Sequence, residues 1–147
     1  MSKHGPHSHD GDADGCARTA RLTPGRRAVL DILTREARAI GAYEMIDMLK
    51  GADGRRPAPI QVYRALDFLV DQGLAHRLAS RNAYMACGHK HGAREPVAFL
   101  ICETCGRVEE ATSGPLAADL KSVAAAHKFD ARAEIIEIAG RCAACAA

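Results

Sequence analysis

Residues 59–73 read Pro-Ile-Gln-Val-Tyr-Arg-Ala-Leu-Asp-Phe-Leu-Val-Asp-Gln-Gly, and this stretch decides the fold. Val62, Ala65, Leu66 and Leu69 recur at three- and four-residue spacing, which places them on one face of a helix. Pro57 and Pro59 prepare its start, where a missing N–H costs nothing. Gly73 stands where a C-terminal cap belongs. The opposite side presents Gln61, Tyr63 and Arg64 near the N-terminal end. A helix with one apolar face and a basic, aromatic tip suits insertion into the major groove of DNA.

Upstream, Thr23 can cap a first helix opened by Pro24, with Val29, Ile32 and Leu33 as its apolar stripe. Gly41 interrupts that pattern. A second, short helix then turns Met45, Ile46 and Leu49 inward and stops before the Gly51-Ala52-Asp53-Gly54 turn. Downstream, short strands are expected at 75–78 and 83–85, joined by Ser80-Arg81-Asn82. Three helices and a hairpin over residues 18–86 make a winged helix-turn-helix. A small helical domain that binds nothing shares the same pattern.

The second half has a different character. Residues 87–96 form a loop rich in Gly, His and charge. A buried strand follows at 97–101, and another at 108–110 beyond the Cys-Glu-Thr-Cys-Gly knuckle. Pro115 opens a helix with Leu116, Leu120 and Val123 inward, closing near His127. Ile135, Ile136 and Ile138 supply a third strand. The expected class is α+β: a winged helix, then a small α/β domain over 97–147.

The 147-residue chain is 48% hydrophobic, enough to build one domain core or two small ones. No apolar run reaches the ~20 residues of a membrane span. Residues 1–17 read as a disordered polar tail, neither secretory signal nor anchor. Its His4, His7 and His9 are close enough to chelate metal weakly, although an expression remnant or a plain solvating tail is the preferred account. A cytoplasmic location follows, where clustered thiols more often bind metal than form disulfides. Cys16 reads as a free thiol. The net charge of +2 hides an asymmetry: residues 1–85 hold 13 Lys/Arg against 10 Asp/Glu, and residues 86–147 hold 7 against 8. Arg18, Arg21, Arg26, Arg27, Arg35 and Arg38 stand against only Asp31 and Glu36. Arg55, Arg56 and Arg64 lie unopposed between Asp53 and Asp67. This is either a footprint for phosphates or a solvated helical surface.

Cys102-x-x-Cys105 and Cys142-x-x-Cys145 are the strongest chemical signal. Each pair offers two thiolates from one tight turn, and together they complete the tetrahedral sulfur shell that zinc prefers. Such a shell leaves no open position, so the site is structural. Structural zinc contributes on the order of 10–16 kcal/mol in small domains. Two separate redox motifs or an iron–sulfur cluster are the alternatives, and clusters usually draw on a more compact cysteine run. A second group, His76, Cys87, His89, His91, Glu95 and Glu110, collects at the junction of the two halves. A metal held there would take ligands from both and favour one angle between them. His127 closes a helix, where a protonated imidazole favours the dipole.

Arg21-Leu22-Thr23-Pro24, the run Val62 to Leu69, and the run Ala98 to Gly106 resemble the ferric uptake regulator family. The likeness extends from Leu22 to Cys145. His76 and Cys87 match sensor positions of the zinc uptake regulator branch. The resemblance implies a homodimer joined through the C-terminal domain. It also implies binding to a pseudo-palindromic double-stranded operator when zinc is sufficient, repressing zinc-uptake genes. By position, Cys102, Cys105, Cys142 and Cys145 carry structural zinc, and His76, Cys87 and Glu110 are sensor ligands. Tyr43, Tyr63 and Arg64 are DNA-reading positions, and Gln61 and Arg21 are expected to bind DNA with them.

One position departs from the branch. Where it has a His seven residues before the first knuckle cysteine, this chain has Glu95. His89, in the compact Cys87-x-His89 pair, is the favoured fourth ligand, with Glu95 and His91 as alternatives. Two zinc ions per chain follow. Thiolate in the sensor set favours zinc over iron. A same-fold regulator of iron or peroxide is the first alternative, and a zinc-ribbon thiol oxidoreductase the second. No nucleophile stands with an adjacent base and an orienting third group, so no enzyme, no small-molecule substrate and no membrane partner is expected.

Overall fold

The structure is a computed structural model that describes residues 22–88, 96–131 and 135–147. Helix α1, Pro24–Glu36, starts where Thr23 Oγ1 accepts the Arg26 amide at 3.4 Å. It stops at Ala37, whose left-handed backbone (φ 50°) lets its N–H close on the Leu33 carbonyl. Gly41 is therefore not the breaker. It ends a two-residue strand β1, Ile40–Gly41, paired antiparallel with a later strand at Ile40↔Tyr84. Helix α2, Ala42–Met48, buries Ala42, Met45 and Ile46, while Leu49 lies just past its end and is half-buried.

Helix α3, Pro59–Asp71, buries the expected Val62, Ala65, Leu66 and Leu69. Gly73 follows at φ 70°, and the Leu74 amide reaches back to the Leu69 carbonyl at 2.9 Å. Only glycine takes that backbone turn without a Cβ penalty. Strands β2, Ala75–Leu78, and β3, Ala83–Ala86, complete a sheet of order β1-β3-β2. A 3-10 turn, Ala79–Arg81, joins them, with Asn82 in the left-handed region. Three helices around Val29, Leu33, Ile40, Met45, Leu66 and Leu69, with this small sheet, are a winged helix-turn-helix.

The C-terminal part contains β4, Val97–Cys102, β5, Val108–Ala111, α4, Gly114–Ala126, β6, Ile135–Gly140, and a last turn of helix, α5, Ala143–Ala146. The sheet order is β5-β4-β6, with β5 antiparallel and β6 parallel to the central β4. Ser113 caps α4 by accepting the Leu116 amide. The expected inward face of α4 is corrected here. No residue of the helix is buried: Leu116 and Leu120 are half-buried, and Val123 is 60% exposed, with Phe129 and Ile135 near it also exposed. Among the described residues, nothing covers its exposed apolar side.

The two parts share a core. Leu78 of the wing is fully buried together with Val97, Phe99 and Ile101 of the C-terminal part, with Ala39 and Met85 against them. The wing is thus packed on the second sheet as well as on its own helices. Leu78→Ala is expected to cost about 2–5 kcal/mol, as for other buried leucines. Hydrogen exchange in the variant should rise in β4 as well as in β2 and β3. A rise confined to residues 75–86 would contradict this shared core.

Candidate metal centres and nucleic-acid surface

The four knuckle cysteines converge because of the register of β4 with β6. Cys102 ends β4 opposite Gly140, and the Glu103 amide donates to the Gly140 carbonyl at 2.8 Å. Gly106, at φ 75°, closes the knuckle by donating to the Cys102 carbonyl. Cys142 precedes α5, and the Cys145 amide turns back onto the Cys142 carbonyl at 2.9 Å. All four sulfurs lie within 4.8 Å of one another, and Cys105 and Cys142 are 3.8 Å apart. Zinc–sulfur bonds of about 2.3 Å in a tetrahedron require edges of about 3.8 Å, so the quartet fits zinc.

The thiols differ before any metal arrives. The backbone N–H groups of Cys105 and Cys142 donate to the Cys102 sulfur and hold its pKa down to about 6. Hydrogen bonds with the sulfurs of Cys142 and Cys105 push Cys145 up to about 12.

The second group also assembles, from three elements. His76 sits on β2, Cys87 just beyond β3 and Glu110 on β5, with ligand atoms within 4.8 Å of one another. His76 Nε2 lies 3.7 Å from Glu110 Oε1, with side chains 13% and 3% exposed respectively. Glu110 Oε2 accepts the Gly88 amide at 3.3 Å, and the Cys87 amide donates to the Leu74 carbonyl. The His76 ring meets the Phe99 ring edge-on at 5.1 Å. A carboxylate so enclosed is costly unless a cation or hydrogen bonds face it. Imidazole, thiol and carboxylate at one point are a donor set that suits zinc. His89, His91 and Glu95 lie outside the described residues, as do Arg21, Cys16 and the tail. His127, the C-cap of α4, is exposed.

On the winged helix, Tyr43 is 74% exposed in the first turn of α2. Gln61 and Arg64 are exposed on α3 and Tyr63 is half-buried. Ile60, 57% exposed in the same turn, was missed in the sequence; its place outside the Val62–Leu69 stripe was the available signal. The charge reading needs correction. Arg38 pairs with Glu44, Arg55 with Asp53 and Arg56 with Asp47. Arg26 lies over the Phe68 ring, 3.6 Å from its centroid, and so fastens α1 to α3. Arg27 and Arg64 keep no acidic partner among the described residues.

Zinc binding at neutral pH must expel the Cys145 proton, whereas Cys102 is already ionised. Zinc affinity of the quartet should therefore fall with acid, and more steeply below about pH 6, where Cys102 adds a further proton to displace. A competition titration with a chromophoric chelator measures this, and equal slopes on both sides of that pH would overturn it.

A family model described as the ferric uptake regulator family matches residues 17–139. The zinc uptake regulation protein of Escherichia coli K12 is 39% identical over 131 residues, 88% of this chain and 76% of that protein. The protein of the same name from Shigella flexneri matches equally. Among solved structures, a zinc uptake regulator complexed with zinc and DNA superposes with a TM-score of 0.80 at 38% identity, covering 88% of this chain and 85% of that one. Holo XcZur gives a TM-score of 0.78 at 39% identity, covering 90% and 92%. With its winged helix, its cysteine quartet and these relatives, the chain belongs to the ferric uptake regulator family.

Proposed function

We propose that the protein is a zinc-responsive repressor that binds operator DNA as a zinc-loaded homodimer in the cytoplasm and represses genes for zinc uptake. One observation carries the reading. His76 and Cys87 come from the wing and its exit, Glu110 comes from the C-terminal sheet, and their ligand atoms lie within 4.8 Å. Zinc supplies a compact positive charge that three such donors can share. Held there, the donors tie the wing to the second sheet, so occupancy becomes geometry. His89 is the fourth donor in this reading, with Glu95 and His91 as alternatives. The quartet holds a second, structural zinc, giving two ions per chain.

The proposed organisation is a tail over 1–17, a winged-helix domain over 18–86, a hinge over 87–96 and a dimerisation domain over 97–147. Tyr43, Gln61, Tyr63 and Arg64 read or grip DNA, with Arg21 on the approaching segment. The E. coli relative carries zinc uptake regulation in its name, and a 38% identical relative has been solved with both zinc and DNA. A cysteine in the sensor set disfavours the iron- and peroxide-sensing alternatives. No catalytic role is assigned.

Cys87→Ser should keep the quartet zinc and the dimer but lose at least about tenfold in zinc-stimulated affinity for a duplex selected from a random pool, as one charge-bearing ligand is removed. Metal analysis should fall from two zinc ions per chain to one. Unchanged affinity would remove Cys87 from the switch. Arg64→Ala should weaken binding and lower the slope of log K against log salt by about one, the mark of a lost phosphate contact, or relax preference at one base position if Arg64 reads an edge. Neither change would exclude Arg64 from the interface.

A further inference from the structure

The sensor cluster is one end of a longer contact. In the C-terminal sheet, Phe99 of β4 is opposite Glu110 of β5 and also opposite Glu137 of β6. Residues opposite one another in a sheet share a face, so Glu110, Phe99 and Glu137 form one row across all three strands. Every member of that row meets the wing. Glu110 faces His76 and accepts the Gly88 amide. Phe99 takes the edge of the His76 ring. Glu137 accepts two successive amides of the turn between β2 and β3, Ala79 at 2.6 Å through Oε1 and Ser80 at 3.1 Å through Oε2.

The Glu137 contact differs in kind from the sensor cluster. The first N–H groups of a helical turn have no partner inside it. A carboxylate that takes two of them makes a two-point, charge-assisted contact with defined orientation. Desolvation raises the Glu137 pKa, but hydrogen bonds from the Ser80 side chain and from both amides more than offset it, and the net direction is downward. Beside it, Arg81 Nη2 donates to the Cys102 carbonyl at 3.1 Å, so the same turn is also tied to the cysteine knuckle. Leu78, immediately before the turn, is fully buried in the shared core. None of these contacts needs a metal at His76, Cys87 and Glu110.

We propose that Glu137 is a positioning residue for the zinc response, a metal-independent clamp that holds the turn of the wing on the C-terminal sheet and so delivers His76 and Cys87 to Glu110. This rests on the zinc-responsive reading above and deepens it. With the clamp intact, the wing is already docked at one end of the row, and zinc has only the other end to close. Without it, the turn is held only by Leu78 and Arg81, zinc must contribute more of the docking, and it is bound more weakly at the sensor cluster. The quartet lies at the end of β4, away from the Glu137 contact, and keeps its own ion.

The test uses the full-length dimer with Glu137→Ala and the milder Glu137→Gln. Hydrogen exchange at the Ala79 and Ser80 amides reads the clamp directly. Both amides should be protected in the parent protein with the sensor metal chelated, and lose protection in the variants. The zinc concentration for half-maximal DNA binding should rise about tenfold in Glu137→Ala and less in Glu137→Gln, as expected for loss of hydrogen bonds to a charged group. Zinc in the quartet and dimer mass should stay at parent values. Unchanged half-maximal zinc in a variant whose two amides have lost protection would overturn the proposal, as would amides unprotected in the chelated parent. If the parent shows no zinc response, the functional reading fails, and the exchange arm still decides whether the clamp exists. If Glu137→Ala does not fold, the comparison rests on Glu137→Gln.

Discussion

Strand β4 is the constraint on which the rest of the structure depends. Its parallel register with β6 places Cys102 beside Gly140 and so brings both cysteine pairs to one end of the sheet. Its antiparallel register with β5 places Glu110 opposite Phe99, where the carboxylate meets His76. A slip of one residue in either pairing would turn every side chain of the moved strand to the other face. The quartet would then be scattered, and the acidic and aromatic row would face away from the wing. Phe99, with no exposed surface, and Leu78 from the wing hold that register by packing.

Much of the winged helix was legible because its information is local. Val62, Ala65, Leu66 and Leu69 repeat at helical spacing, Thr23 and Pro24 mark a helix start, and Gly73 marks an end. The cysteine quartet was legible for the same reason, since each half is a short motif. What escaped depends on contacts distant in the chain. Nothing near Ala37 signals its left-handed backbone, and β1 is too short to leave a pattern. Arg38 and Glu44 stand six residues apart, Asp47 and Arg56 nine, so their pairing shows only in three dimensions. Of the sensor cluster, His76, Cys87 and Glu110 were named through family likeness. Composition had supplied only a loose group of donors, because burial and distance are absent from a sequence.

The two cysteine-containing sites illustrate two uses of similar ligands. In the quartet, four sulfurs from two knuckles enclose a point at the edge of one sheet, and hydrogen bonds between the knuckles already align them. Binding there stabilises a shape that one sheet defines. At His76, Cys87 and Glu110, the donors belong to elements on either side of a packed boundary. Binding there biases the relation between two bodies. The difference lies in which elements carry the ligands, more than in the ligands themselves.

The open apolar side of α4 and β6 has a consequence for how the protein depends on its own abundance. Val123, Phe129 and Ile135 leave an apolar surface that the described residues of one chain do not cover. Where a second copy supplies the cover, the association term enters the stability of the C-terminal part, and that stability grows with the logarithm of the number of chains present. Expression level thereby becomes a physical variable of the fold itself: a cell with few copies holds a less stable molecule, and not merely fewer molecules.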